Sequence, residues 1–167
     1  MRVSELMTRD VLACRPADSM DRAVQIMWER DCGCVPIVDA ERNVLGMLTD
    51  RDACMAAYTG GGTLRALKVA QAMSNGVACC RADDDVEVAL RTMAEKQLHR
   101  LPVVEHGQRL VGMLSMADLV QAAKAVDGAK RRKYAEEVLD TLITVTRPRQ
   151  ARASQRPAGR EAVAAGA

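Results

Sequence analysis

The chain repeats itself. A shift of 66 positions lays residues 3–53 over 69–119 without a gap, and 15 of the 51 pairs are identical. Ordinary composition would give about three or four matches by chance. The identities include Met7/Met73, Val11/Val77, Asp18/Asp84, Met27/Met93, Pro36/Pro102, Gly46/Gly112 and Asp52/Asp118, and Ile37/Val103, Asp39/Glu105 and Thr49/Ser115 are conservative matches. This is a tandem duplication of a unit of roughly 50 residues, too small to bury a stable core alone. The two copies therefore complete one another as a module with a pseudo-two-fold axis.

Each unit reads strand–helix–strand–strand–helix. Val11 to Cys14 has the composition of a short strand, and Asp18 with Asp21 and Asp84 with Glu87 have the spacing of a helix cap. Met20, Ala23, Val24 and Met27, and likewise Val86, Ala89, Leu90 and Met93, recur at helical spacing. The apolar runs 35–38 and 101–104 lead through polar loops into 44–48 and 110–114, as hairpins do. Second helices start at Thr49 and Ser115. The expected fold is α+β: two tandem β-α-β-β-α units packed sheet to sheet, plus a C-terminal helix. Unit boundaries fall at 1–58 and 65–124, with a flexible glycine-rich linker at 59–64. Tyr134, Val138, Leu142 and Val145 mark an amphipathic helix within 125–146, docking on the module or on a twin. Residues 147–167, rich in Ala, Arg, Gln, Pro and Gly, read as a disordered basic tail.

Composition narrows the function. Phe is absent and the aromatics are Trp28, Tyr58 and Tyr134, which leaves no stacking platform for single-stranded nucleic acid. Residues 1–122 carry 14 basic and 17 acidic side chains, whereas 123–167 carry 10 and 5. A mildly acidic body with a basic tail is not the charge pattern of a nucleic-acid binder. No apolar run is long enough to span a membrane, and no secretory leader is visible. With six cysteines, that points to reduced thiols in a cytoplasmic protein. Cys32, Cys34, Cys79 and Cys80 form C-x-C and C-C spacings rather than paired C-x-x-C, so they are expected to be buried hydrophobes, with no metal site.

The unit resembles the CBS domain, and the pair resembles a Bateman module. Three stretches carry the likeness, each occurring twice: Val3 to Thr8 and Val69 to Ser74; Val35 to Asp39 and His99 to Glu105; Gly46 to Asp52 and Gly112 to Asp118. The resemblance implies adenosine ligands such as AMP, ADP, ATP or S-adenosylmethionine in clefts between the units, without catalysis and without a required cofactor. The residues agree on catalysis: His99 and His106 have no nucleophile beside them, and no Walker-type loop occurs. With no attached enzyme, channel or transporter segment in view, a stand-alone regulatory module acting on an unknown protein is expected.

Thr49-x-x-Asp52 and Ser115-x-x-Asp118 are capping boxes by spacing. By resemblance they also match the family's ribose–phosphate motif, a carboxylate on the sugar diol and a helix N-terminus toward phosphate. His99 and Arg100 match its phosphate-contacting position, where arginine offers paired donors. The expected binding residues are thus Thr49, Asp52, His99, Arg100, Ser115 and Asp118, with no catalytic and no metal-ligating residue. The clefts should be unequal. One joins Thr49 and Asp52 to His99 and Arg100; the other joins Ser115 and Asp118 to Gly33 and Cys34, which bring no cation. A homodimer is expected through Met20, Ala23, Met27, Trp28 and Met93. The alternatives are a ligandless interaction scaffold or an S-adenosylmethionine sensor.

Overall fold

The computed structural model describes residues 1–124 and 128–148. The first copy supplies α1 (Val3–Leu6), α2 (Met20–Glu29), β1 (Cys34–Val38), β2 (Val44–Thr49) and α3 (Asp50–Gly60). The second supplies a 3₁₀ turn (Val69–Gln71), β3 (Ser74–Asn75), β4 (Cys80–Arg81), α4 (Val86–Lys96), β5 (Arg100–Glu105), β6 (Arg109–Ser115) and α5 (Met116–Ala122). Helix α6 (Gly128–Thr146) closes the described chain.

Both hairpins form, in the same register. Cys34 stands opposite Thr49 in β1–β2, and Arg100 opposite Ser115 in β5–β6. Each carries its irregularity at the equivalent place, Ile37/Val38 and Val103/Val104. The axis is visible in the backbone: Asn43 bridges Arg109, its own counterpart in the repeat. Val44 N–H donates to the Gln108 carbonyl and Leu110 N–H to the Arg42 carbonyl, both at 2.9 Å.

The units exchange their entrances. Val3 and Met7 are buried in the second unit's core with Val86, Met93 and Leu114. Thr8 exchanges two 2.9 Å backbone hydrogen bonds with Met113. Conversely, Val69 is buried in the first unit's core with Met20, Ile37 and Leu48, and β3 pairs with β2. Neither core closes without a piece of the other unit, which answers the shortage of apolar surface in a single copy. The crossing explains the paired glycines. A Cβ on Gly46 would stand 2.4 Å from the Ser74 carbonyl oxygen, and one on Gly112 2.9 Å from that of Thr8. A side chain there would push the exchanged segment off the sheet.

Several local expectations shift. The strand expected at 11–14 contracts to a single bridge, Cys14 to Ile37, because Pro16 follows with no N–H to extend the ladder. Ser19, not Asp18, caps α2, accepting from Arg22 N–H. Asp18 and Asp84 instead accept the backbone N–H groups of Arg15 and Arg81 at 2.7 Å, closing the turns before the helices. The glycine-rich joint is partly helix, since α3 runs to Gly60 and ends on Gly61 at φ 64°. Helix α6 packs on α4 and α5 of its own chain. Tyr134, Val138 and Val145 are buried there, and the Tyr134 hydroxyl donates to the Leu119 carbonyl at 3.0 Å. Most of the tail expected at 147–167 lies outside the described residues.

Of the five residues expected at a dimer contact, Met20, Ala23, Met27 and Met93 are buried within their own units. Each points inward from its helix as the apolar stripe of an amphipathic element must. Trp28 on α2 is 87% exposed, and Met55 and Tyr58 on α3 are exposed as well.

Candidate functional site

The two pre-proline segments, Gly33-Cys34 and His99-Arg100, meet at the pseudo-two-fold axis. On either side of them lies a cleft. The first, about 740 Å³, is walled by Thr49, Asp50, Arg51 and Asp52 at the start of α3, by 74–78 of the exchanged entrance, and by 97–100. The second, about 630 Å³, is walled by Ser115, Met116, Ala117 and Asp118 at the start of α5 and by Thr8 and residues 10–12. Arg30, Asp31 and Cys32 close its far side. Each cleft is thus built from both units, with the same repeat positions in corresponding places.

The capping residues are nearly superposable. Asp52 Oδ2 accepts from Thr49 N–H at 2.9 Å and from Thr49 Oγ1–H at 2.7 Å, while Asp52 N–H donates to Thr49 Oγ1 at 3.2 Å. Asp118 does the same with Ser115, at 2.8, 2.6 and 3.2 Å. Both capping boxes therefore form, and both spend one carboxylate oxygen. The other oxygen, Oδ1, makes no hydrogen bond among the described residues in either aspartate and is available to a diol. All four residues are half-buried, at helix N-termini whose dipoles favour an anion.

In the first cleft Thr49 and Asp52 line the same space as His99 and Arg100. Arg100 extends across the axis. Its Nη1 lies 3.7 Å from where a Gly33 Cβ would be, and Asp50 Oδ2 lies 3.1 Å from the same point. A Cβ at Gly33 would meet the guanidinium at ordinary contact distance and would crowd the Asp50 carboxylate. The second cleft corrects the sequence reading. Cys34 lines it and Gly33 does not, and it is not short of cations: Arg30, His99 and Arg100 all reach it. The axis is narrow enough for His99 and Arg100 to face both clefts. Arg30, however, is held by Asp10 at 2.9 Å. With Asp10, Asp31 and Asp118 in its walls this cleft carries more negative charge than the first, which has Asp50 and Asp52. The repeat offered one signal for Arg30, because its counterpart is also basic, Lys96.

Of the four cysteines expected to be buried, Cys34 and Cys80 are and Cys32 and Cys79 are only partly so, while Cys54 is exposed. Cys14 and Cys80 are buried, and that burial pushes their thiols up to about 11 and about 12. Burial raises Cys34 as well, opposed by the neighbouring Arg100 guanidinium. Among the described residues no three His, Cys, Asp or Glu side chains cluster as metal ligands would.

The CBS domain model matches twice, over residues 3–58 and 69–125, which is well over half the chain. The chain belongs to the CBS domain family. A CBS domain-containing protein of Bacillus subtilis, YhcV, is 33% identical over 118 residues, 70% of this chain and 81% of that protein. An inosine-5'-monophosphate dehydrogenase of Methanocaldococcus jannaschii is 28% identical over 139 residues, 83% of this chain. The match spans only 25% of that enzyme. Two solved CBS structures share the fold. CBSX2 in complex with AMP aligns with a TM-score of 0.64 at 24% identity, over 74% of this chain and 96% of that one. The CBS domain pair of protein MJ0100, in complex with 5'-methylthioadenosine and S-adenosyl-L-methionine, gives 0.66 at 20%, over 75% and 97%. The pair of CBS units and the α+β fold are thereby established, and no described helix is long and apolar enough to cross a membrane.

Proposed function

We propose that this CBS pair is a regulatory module that binds an adenosine nucleotide, AMP, ADP or ATP, in the Thr49/Asp52 cleft and reports its occupancy to a protein partner. One observation carries the reading: the capped N-terminus of α3 from one unit faces His99 and Arg100 from the other across a single cleft. In this reading Asp52 Oδ1 takes the ribose diol. Val77, Ala78 and Leu98 offer an apolar slot for the base, and Arg100 with His99 takes phosphate. The nucleotide would then tie the two units together, and its arrival would change their coupling. Two CBS proteins of the same fold hold AMP or S-adenosyl-L-methionine, which supports an adenosine ligand.

The second cleft favours a different adenosyl ligand. Arg30 beside Asp10 and Asp31 offers both signs of charge, as a zwitterion such as S-adenosylmethionine would require. We place the module in the cytoplasm as a homodimer through the exposed Trp28, Met55 and Tyr58 on α2 and α3. The equivalent face of the second unit is occupied by α6. Calorimetry with AMP, ATP and S-adenosylmethionine tests the reading. Binding of a nucleotide that is lost in Arg100→Gln supports it; no binding of any of the three by the folded protein sinks it and leaves the interaction scaffold.

A further inference from the structure

The two clefts are not separate sites with separate anchors. Cys34 and Arg100 occupy equivalent positions of the repeat, on opposite sides of the axis, and both line both clefts. Arg100 has its backbone opposite Ser115, at the edge of the second cleft, and its guanidinium over Gly33, in the first. A symmetric duplication with arginine at both positions would give each cleft a cation of its own at the axis. Here the counterpart is a buried cysteine, which brings no charge. The other arginines do not fill that place. Arg51 lines only the first cleft, and Arg30 lines only the second, paired to Asp10.

We infer that Arg100 is a single anion anchor shared by both clefts, so that an anionic ligand in one lowers the affinity of the other for a second. This deepens the nucleotide reading and rests on it. A guanidinium committed to one phosphate is withdrawn from the other cleft, and a charge-assisted hydrogen bond carries roughly ten- to hundredfold in affinity. Two phosphates drawn to one axis also repel, which acts in the same direction. The antagonism is reciprocal, as any coupling between binding equilibria must be. The module would then respond to which adenosine ligand holds Arg100, rather than summing two independent occupancies.

Calorimetric titration of the full chain with AMP, in the wild type, Asp52→Ala and Asp52→Ala/Arg100→Gln, tests this. Asp52→Ala weakens the first cleft and releases Arg100. The Ser115/Asp118 cleft should then bind AMP at least about tenfold more tightly than the second step of the wild type, or than the weakest detectable step if none is seen. Arg100→Gln should abolish that gain. Melting curves verify that each variant is folded, and Asp52→Asn, which keeps an acceptor for the cap, replaces Asp52→Ala if it is not. Two equal and independent steps in the wild type would overturn the shared anchor while leaving the nucleotide reading intact. So would an unchanged affinity or no binding in Asp52→Ala, or a gain that survives Arg100→Gln. A folded wild type that binds no AMP overturns the nucleotide reading itself, and the inference with it.

Discussion

Asp52 and Asp118 form matched capping boxes in unequal clefts, which permits a controlled experiment. Alanine at either position strips the acceptor from one backbone N–H and one hydroxyl, and leaves the aspartate's own N–H still donating to Thr49 or Ser115. The corresponding distances agree within 0.1 Å: 2.9 and 2.8 Å for the backbone bond, 2.7 and 2.6 Å for the hydroxyl bond, 3.2 Å for the return bond. Loss of this half of the capping box costs on the order of 1 kcal/mol. For a domain of this size that is a fall in melting temperature of about 2–4 °C. The two alanine variants should therefore lose stability equally, within about 0.5 kcal/mol. Their effects on nucleotide affinity should differ: Asp52→Ala loses a charged acceptor for the ribose in the first cleft, worth about tenfold to a hundredfold, while Asp118→Ala leaves that site nearly untouched. Thermal melts with and without AMP read both quantities on one sample. Equal affinity losses in the two variants would refute the assignment of the principal site. Unequal stability losses would refute the matched caps.

Further outcomes follow from the burial pattern. Tyr134 is held up at about 12 by burial, with Glu87 and Glu137 adding to it, against an ordinary value of 10. A raised value means that neutral Tyr134 contributes its full stability below about pH 10 and loses it as pH rises through 12. Urea denaturation should therefore show a fall across that window which Tyr134→Phe flattens in part. A thiol reagent near neutral pH should modify exposed Cys54 rapidly and buried Cys14 and Cys80 only on the timescale of opening, and Cys54→Ser should remove the fast phase. Light scattering at about 50 μM should give twice the 18.1 kDa chain mass, and Trp28→Ala with Tyr58→Ala should shift it toward the monomer. A monomer in the wild type would contradict the proposed interface.

Much of the fold was legible because duplication doubles every signal. The hairpins, the two Thr/Ser-x-x-Asp caps and the Tyr134–Val145 stripe stand where periodicity placed them. The exchange of entrances was not legible, since Val3 and Val69 are the same residue and fit either core. Only the close approach at Gly46 and Gly112 records which strand crosses which sheet. Ser19 rather than Asp18 caps α2 because Asp18 is already committed to Arg15 N–H, a competition the spacing alone does not reveal. The first cleft was readable from the motif at 49–52 and the basic pair at 99–100. The second was misread, because Arg30 reaches it from the end of α2 and Arg100 reaches it from across the axis. Both are matters of side-chain length and position rather than of pattern.

A crystal structure of the protein grown with AMP tests the central claim most directly. The account predicts the ribose hydroxyls on Asp52 Oδ1, the base against Val77, Ala78 and Leu98, and the phosphate on Arg100 in the Thr49/Asp52 cleft. AMP seated only in the Ser115/Asp118 cleft, or bound without a contact to Arg100, would contradict it.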